Sequence, residues 1–247
     1  MPENTPIVRM LNIHKWFGKV YALRGVDFTV NSSEVVGLVG DNGAGKSTLM
    51  KILAGIYPPD EGKIFFEGRE VRFSSPKDAM KLGIETIHQD IALVSLMSIA
   101  RNIFMGRELE KQVGVAKLLD LERMREESLK ALSDIGLLVT DPDTIVENLS
   151  GGERQGVAIA RAMYFKTKLL ILDEPTNNLS VKESARVLQF IRELREQGIS
   201  SVFITHNLHH VYPVADKIVV LSHGKNMGLF KKEETSIEHI EEMITAA

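Results

Sequence analysis

The segment from Gly40 to Ser47, GDNGAGKS, combines three glycines with a lysine and a hydroxyl. Glycine adopts backbone conformations that other residues avoid, so successive N–H groups of such a segment can point at one polyphosphate. Lys46 would add a positive charge toward the outer phosphates, and Ser47 would offer its hydroxyl to Mg²⁺. The pattern predicts a nucleotide-binding loop made of Gly40, Asp41, Asn42, Gly43, Ala44, Gly45, Lys46, Ser47 and Thr48.

Two adjacent carboxylates, Asp173 and Glu174, directly follow the apolar run Leu169-Leu170-Ile171-Leu172. A short unbroken apolar run is typical of a strand buried on both faces, and α/β sheets bind ligands at the carboxyl ends of such strands. We therefore expect Asp173 to hold Mg²⁺ and Glu174 to act as the base that orients water for attack on the γ-phosphate.

A second glycine-containing segment, LSGGERQ, begins at Leu149. Ser150 and Glu153 have the spacing of a capping box, which predicts a helix over residues 153–165. An ordinary helix cap would not require Gly151 and Gly152, whose exposed N–H groups allow close approach to a phosphate. Because the chain already has one phosphate loop, the second anion site predicts that nucleotide is held between two copies, with Ser150, Gly151 and Gly152 completing the site.

The elements that must position these residues alternate between strand and helix patterns. Apolar runs bounded by turns predict strands at 7–13, 21–30, 35–39, 63–66, 84–88, 169–172, 201–205 and 217–221. Helices are expected at 46–54, 182–196 and in the tail after Lys231, and helical segments are expected from Gln89 to Gly136, one of them capped by Asp120. These patterns predict one domain, with an α/β core at 1–89 and 158–247 and a helical subdomain at 90–157.

Composition narrows the possible classes of function. The chain has 247 residues, 44% of them hydrophobic, which is enough for one substantial core. A net charge of -3 without a dense basic run predicts no nucleic-acid partner. Cysteine is absent, so disulfides and thiolate metal sites are excluded. No run approaches the about 18 apolar residues of a membrane span, so any membrane association is expected to go through a partner.

Taken together, GDNGAGKS, LSGGERQ and LLILDE resemble the Walker A, signature and Walker B motifs of the ATP-binding subunits of ABC transporters. The resemblance covers nearly the whole chain. It implies an α/β P-loop NTPase core with a mixed sheet, an N-terminal antiparallel β part and an inserted α-helical subdomain. It also implies ATP with Mg²⁺, and hydrolysis coupled to solute translocation in a head-to-tail dimer.

Further residues match the family one by one. Phe17, in KWFG, resembles the aromatic that stacks on adenine, and the neighbouring Trp16 is a weaker candidate for that role. Gln89 resembles the glutamine that senses Mg²⁺ and the γ-phosphate, and His206 resembles the switch histidine at the γ-phosphate. The chain departs from the family pattern at Ser180, where an aspartate is usual, and at Gly156, where many relatives carry a larger residue.

The segments around IHQDIALVSLMSIARNIF and ITHNLHHVYPVADKI look most like the carbohydrate-importer branch of the ribose, fructose and inositol type. Many members of that branch fuse two cassettes, so the resemblance implies a homodimer or a pair with a second short subunit. Integral permease subunits and a solute-binding protein are implied as partners, at the cytoplasmic face of the membrane. An ABC ATPase of an exporter or of another importer class is the alternative. More remote alternatives are ABC ATPases of DNA repair, which need a long heptad insertion or a zinc module, and of translation, which generally join two cassettes.

Overall fold

The computed structural model describes residues 6–88, 93–137, 139–177 and 180–246. The chain forms two compact units, of which the first comprises residues 1–89 and 168–247 and the second comprises residues 90–167. Across the described ranges, no helix has both the length and the apolar character needed to cross a membrane.

The described residues contain twelve strands and eight α-helices. The strands are β1 (Pro6–Phe17), β2 (Val20–Asn31), β3 (Val35–Val39), β4 (Glu61–Phe66), β5 (Arg69–Val71), β6 (Ile84–His88), β7 (Glu110–Val113), β8 (Ala116–Leu119), β9 (Leu169–Asp173), β10 (Ser200–Ile204), β11 (Lys217–Ser222) and β12 (Lys225–Lys231). The helices are α1 (Lys46–Leu53), α2 (Pro76–Lys81), α3 (Ile99–Phe104), α4 (Leu121–Asp134), α5 (Gly151–Tyr164), α6 (Val181–Glu196), α7 (Leu208–Val211) and α8 (Ile237–Ala246).

A six-stranded sheet organises the first unit, with strand order β12-β11-β3-β10-β9-β6. The five strands from β11 to β6 are parallel, and β12 pairs with β11 in the antiparallel direction. Every residue of β3 and β10 is buried, as expected of central strands covered on both faces. The central position of β3 matters for function, because the chain leaves this strand directly into the loop at Gly40.

The N-terminal strands form a second, antiparallel sheet in the order β2-β1-β4-β5. Its long strands β1 and β2 pair from Pro6 with Asn31 to Phe17 with Val20, with several register shifts along the way. Alternate residues of these strands contribute to a core shared with β3, β9, β10, β11 and α1. Phe17 therefore lies at the tip of a hairpin whose base is anchored in that core.

The second unit contains α3, α4 and α5 and a core that includes Phe104, Leu132 and Val157. Asp120 caps α4 by accepting a hydrogen bond from the backbone N–H of Arg123, as expected, and the helix ends at Asp134 before Gly136. The strands β7 and β8 form an exposed antiparallel hairpin in this unit.

Most predicted elements are present, and several features differ from expectation. The prediction of helical segments throughout residues 89–136 is wrong at β7 and β8, where Gly114 has a φ of 60° and allows a tight turn. Strand β12 was not expected. The second unit ends at Thr167 rather than at residue 157, because α5 continues without interruption to Tyr164.

Candidate functional site

Three neighbouring parallel strands of the first unit bring the predicted phosphate loop and the predicted acids to one edge of the sheet. Leu38 of β3 pairs with Ile204 of β10, and Ile204 pairs with Asp173 of β9. The residues that follow these strands, Gly40, Glu174 and Thr205, therefore start at the same level. This edge is where a parallel sheet offers a crevice for a ligand.

The glycines of the loop have the backbone geometry that the sequence predicted. The φ angles are 143° at Gly40, 84° at Gly43 and 103° at Gly45, all in the region that favours glycine. A Cβ at Gly40 would lie 2.0 Å from the carbonyl oxygen of Leu221. Gly40 is therefore closed to a side chain both by conformation and by space, whereas at Gly43 the φ angle alone favours glycine.

Lys46 begins helix α1 and is 7% exposed. Its Nζ donates hydrogen bonds to the carbonyl oxygens of Gly40 and Asp41, at 2.6 and 2.9 Å. Burial lowers the pKa of the Lys46 ammonium below its ordinary value, while the carboxylates of Glu174, Asp173 and Asp41 act in the opposite direction. Among the described residues, the hydrogen-bond partners of this buried cation are backbone carbonyls, which phosphate oxygens can replace.

Ser47 and Asp173, two of the three residues predicted to hold Mg²⁺, lie together. The hydroxyl of Ser47 donates to Oδ1 of Asp173 across 3.4 Å. A hydroxyl beside a carboxylate is an all-oxygen donor set, which fits Mg²⁺. Gln89, the third predicted ligand, lies outside the described residues.

Glu174 has an unusual backbone for a residue other than glycine, with a φ of 51°. Its amide donates to the carbonyl oxygen of Ile204 at 3.0 Å, which ties this turn to the end of β10. Oε1 accepts from the backbone N–H of His206 at 3.2 Å and contacts its Nδ1 at 2.8 Å. Oε2 accepts from the hydroxyl of Thr205 at 3.1 Å. The structure thus joins Glu174 and His206, two of the residues predicted to act at the γ-phosphate.

A cleft of about 370 Å³ opens along the phosphate loop. It is lined by the loop residues from Asn42 to Thr48, by Glu174, and by Val20, Tyr21, Ala22, Arg24 and His223. Sequence reasoning did not single out Arg24 or His223. Neither belongs to a recognisable motif, and the fold alone brings them beside the loop.

Phe17 pairs with Val20 across the hairpin tip, so it lies next to this cleft. Its side chain is 42% exposed and packs edge-on against Tyr57, with ring centroids 5.3 Å apart. The ring of Trp16 instead stacks on Tyr21, with centroids 4.5 Å apart. The Trp16 ring is therefore stacked face to face on Tyr21, whereas Phe17 makes only an edge-on contact with Tyr57, which favours Phe17 as the residue that receives a base.

In the second unit, Ser150 caps helix α5 through the predicted capping box. The hydroxyl of Ser150 accepts from the N–H of Glu153 at 3.3 Å, and the carboxylate of Glu153 accepts from the N–H of Ser150 at 2.8 Å. Gly152 is exposed, and a Cβ there would have no described heavy atom within 4 Å. Nothing described around Gly152 therefore requires a glycine, which is consistent with a ligand or partner that approaches closely.

The structure explains one of the two departures from the family pattern. A Cβ at Gly156 would lie 2.6 Å from Cδ2 of Leu137, so the glycine leaves room for that side chain within the second unit. Ser180 directly precedes α6, and its carbonyl oxygen accepts from the N–H of Ser184 at 2.9 Å. Asn178 and Leu179, in the same loop, lie outside the described residues.

A glycine-rich loop between a central parallel strand and a helix, with acids at the end of a neighbouring strand, defines the class of P-loop nucleotide-binding proteins. The family model described as ABC transporter matches residues 23–177. The chain therefore belongs to the ABC transporter family of ATP-binding proteins.

Relatives match over nearly the whole chain. The xylose/arabinose import ATP-binding protein of Sulfolobus acidocaldarius is 48% identical over 97% of this chain and 94% of its own length. The fructose import ATP-binding protein of Rhizobium meliloti is 41% identical over 98% of this chain and 95% of its own length. The ribose import ATP-binding protein of Clostridium tetani is 42% identical over 95% of this chain, and the match spans 46% of that relative.

Solved structures agree with this membership. An ATP-binding cassette of an ABC transporter in its ADP conformation has a TM-score of 0.76 and 27% identity, covering 99% of this chain and 100% of its own. A dimeric cassette in a post-hydrolysis state, bound to ADP and Pi, has a TM-score of 0.66 and 25% identity, covering 91% of this chain and 98% of its own. The expected α/β P-loop fold is thus confirmed.

Proposed function

We propose that this chain is the ATP-hydrolysing subunit that powers sugar import by an ABC transporter, through ATP-driven head-to-tail dimerisation. The observation that carries the ATPase part is the meeting of Lys46, Asp173 and Glu174 at one sheet edge. Lys46 and the loop N–H groups supply positive potential for a polyphosphate, and Glu174 supplies a base next to it.

In this proposal ATP is the substrate, and residues of the first unit bind its phosphates and its adenine. The phosphates lie in the loop from Gly40 to Thr48, with the N-terminus of α1 pointing at them. The adenine stacks on the exposed ring of Phe17. Ser47, Asp173 and Gln89 would hold Mg²⁺, which when bound neutralises charge on the β- and γ-phosphate oxygens.

Hydrolysis then requires a water in line with the γ-phosphorus. Glu174 accepts a proton from this water, the new P–O bond forms, and the bond to the β-γ bridging oxygen breaks to leave ADP and inorganic phosphate. His206 contacts Glu174 through Nδ1. Its other ring nitrogen, Nε2, is the atom that we assign to the γ-phosphate.

The second subunit supplies the remaining contacts. Ser150, Gly151 and Gly152 present a capped helix terminus, which is an anion site. We propose that this terminus of one copy contacts the nucleotide held by the phosphate loop of another, either a homodimer or a heterodimer with a related subunit. Closure of the dimer on ATP and its release after hydrolysis would move attached membrane permease subunits at the cytoplasmic face.

The assignment to sugar import rests on relatives. Proteins that match nearly all of this chain are named as import ATP-binding proteins for xylose/arabinose and for fructose, at 48% and 41% identity. The cassette itself does not contact the solute in this mechanism. A solute-binding protein and a permease would select the sugar, and nucleic acid has no part in the cycle.

The mechanism is tested by Glu174→Gln, which keeps the size and polarity of the side chain and removes the base. We expect ATP binding to be retained, turnover to fall at least about a hundredfold, and an ATP-bound dimer to accumulate. Isothermal titration calorimetry would measure ATP binding, phosphate release would measure turnover, and size exclusion would measure the ATP-bound dimer. Normal turnover in this variant would rule out Glu174 as the base.

The sugar assignment needs a separate experiment with the complete transporter. A permease and a solute-binding protein encoded beside this chain should be purified with it into lipid vesicles. Xylose, arabinose, fructose and ribose are then compared for uptake and for stimulation of ATP turnover. We expect one of these sugars to stimulate both, and stimulation only by an exported lipid or drug would contradict import.

A further inference from the structure

Thr205 is a buried polar residue next to the proposed base that no sequence motif singled out. It directly follows β10 and is 1% exposed. Its backbone N–H donates to the carbonyl oxygen of Leu38 at 3.2 Å, which fixes its main chain to the end of β3. Burial and this attachment leave the Thr205 side chain little freedom to move.

The hydroxyl of Thr205 has two described partners with different requirements. It accepts a hydrogen bond from the backbone N–H of Asn207 at 3.0 Å, and it lies 3.1 Å from Oε2 of Glu174. A backbone N–H can only donate, so it cannot receive the hydroxyl proton. The carboxylate oxygen can only accept, and therefore the single proton of Thr205 is directed at Glu174.

The two oxygens of the Glu174 carboxylate are thereby held from different sides. His206 contacts Oε1 through its backbone N–H, which donates a hydrogen bond, and through Nδ1 of its ring. Thr205 serves Oε2 from a buried position, whereas the side chain of His206 is 54% exposed. The hydroxyl is therefore the more rigid of the two side-chain contacts, and together with the backbone N–H of His206 it restricts rotation of the carboxylate plane.

We infer that Thr205 is a positioning residue that aims the Glu174 carboxylate at the attacking water. The inference rests on the proposed function, in which Glu174 is the base. A base must hold its accepting oxygen within hydrogen-bond reach of the water, and small misplacements of such a group reduce the rate strongly. The turn between Thr205 and Asn207 explains only the contact to Asn207 and leaves the contact to Glu174 unexplained.

The test compares Thr205→Val with Thr205→Ser. Valine keeps the shape and removes the hydroxyl, whereas serine keeps the hydroxyl and removes a methyl group. We expect kcat for ATP hydrolysis to fall about tenfold in Thr205→Val, with KM and the Kd for ATP unchanged, and turnover to be restored in Thr205→Ser. A role confined to folding would instead lower the melting temperature and the fraction of protein that binds ATP.

A double variant separates positioning of the base from other effects. In Glu174→Gln/Thr205→Val, the rate should equal that of Glu174→Gln alone, because there is no longer a base to aim. A further loss in the double variant would overturn the inference, as would wild-type kcat in Thr205→Val. If valine prevents folding, Thr205→Ala removes the same hydroxyl, and the same comparisons decide.

The outcome also distinguishes this inference from the proposed function. Wild-type kcat in Thr205→Val together with an inactive Glu174→Gln would overturn the role of Thr205 and leave the proposed mechanism intact. Normal turnover in Glu174→Gln would overturn the mechanism itself.

Discussion

At the scale of single residues, Lys46 places a nearly buried ammonium group where the phosphates of a nucleotide would bind. The ammonium is almost buried, and its hydrogen-bond partners within the loop are the carbonyl oxygens of Gly40 and Asp41. Desolvation outweighs the attraction of nearby carboxylates, so the pKa of Lys46 lies below its ordinary value. A bound triphosphate adds negative charge beside the ammonium and should raise this pKa again.

We therefore predict that ATP binding takes up a proton at alkaline pH. Between the lowered pKa and the ordinary value of 10.5, part of the free protein has a neutral Lys46 that must be protonated to pair with phosphate. ATP affinity should consequently fall as the pH rises through this window. Calorimetry across the alkaline range below 10.5, in buffers that differ in ionisation enthalpy, would count the protons.

The same titration provides its own control at neutral pH, further below the ordinary pKa of the Lys46 ammonium, where less proton uptake by Lys46 is expected. Proton exchange by other groups, including the γ-phosphate itself, sets the baseline there. Proton uptake that does not increase between neutral and alkaline pH would contradict the assigned role of Lys46.

At the scale of elements, the start of helix α5 combines a strong cap with an unfavourable residue. Ser150 and Glu153 cap each other, which stabilises the first turn. Gly152 lies in that turn, where glycine lowers helix stability and no described atom crowds the position. A helix-destabilising glycine that is kept in a well-capped first turn is typical of a functional site.

We predict that Gly152→Ala has opposite effects on stability and on turnover. The added methyl group fits the helix and should stabilise it by about 0.5–1 kcal/mol, or about 1–4 °C in Tm. The same methyl group would stand between the helix terminus and the phosphate of the partner's nucleotide, so ATP turnover should fall at least about tenfold. Thermal unfolding and phosphate release measure the two effects.

Gly156→Ala is the matched control in the same helix. Its methyl group would meet Leu137 at 2.6 Å, so any gain in helix stability is offset by crowding inside the second unit. ATP turnover should remain close to wild type. If Gly152→Ala keeps full turnover, the glycine has no role in phosphate approach.

At the scale of the whole molecule, the proposal requires each ATP site to be built from two copies. The phosphate loop belongs to the first unit and the Ser150 turn to the second. A solved dimeric cassette that is 25% identical to this chain contains ADP and Pi. If two copies build each site, a mixture of two different inactive variants contains some intact sites, whereas neither variant alone does.

We predict that two inactive variants regain activity when they are mixed. Lys46→Ala removes the phosphate contact, and Ser150→Arg blocks the helix terminus with a bulky cation. A mixed dimer of the two has one intact composite site and one doubly defective site. An equal mixture should therefore recover about a quarter of the wild-type sites, because about half of the dimers are mixed.

The measurement is ATP turnover of the separate and the mixed proteins, at a concentration where the ATP-bound dimer forms. Recovered turnover in the mixture would indicate that each site is built from two copies. If both elements contacted one nucleotide within a single chain, the mixture would remain as inactive as its parts. In that case the head-to-tail arrangement would have to be abandoned.

The amino-acid sequence by itself determined the local features of this protein. The phosphate loop, the apolar strand before Asp173 and the capping box at Ser150 depend on neighbours within about eight residues, so their geometry follows from residue type and spacing. Strands β3 and β6 also have the predicted bounds, and in β3 a short buried apolar run leaves few alternatives. Relatives named for sugar import agree with the resemblance found in the motifs.

Only the tertiary structure decided which distant residues meet. The Thr205 hydroxyl reaches Glu174 because β9 and β10 are adjacent and in register. Residue spacing along the chain does not predict which strands pair. Gly156 likewise faces Leu137 across the packing of the second unit. The β7–β8 hairpin escaped prediction because its strands are four residues long and exposed, which leaves almost no hydrophobic pattern to detect. Local chemistry follows from neighbours in sequence, whereas contacts between elements depend on strand order and packing.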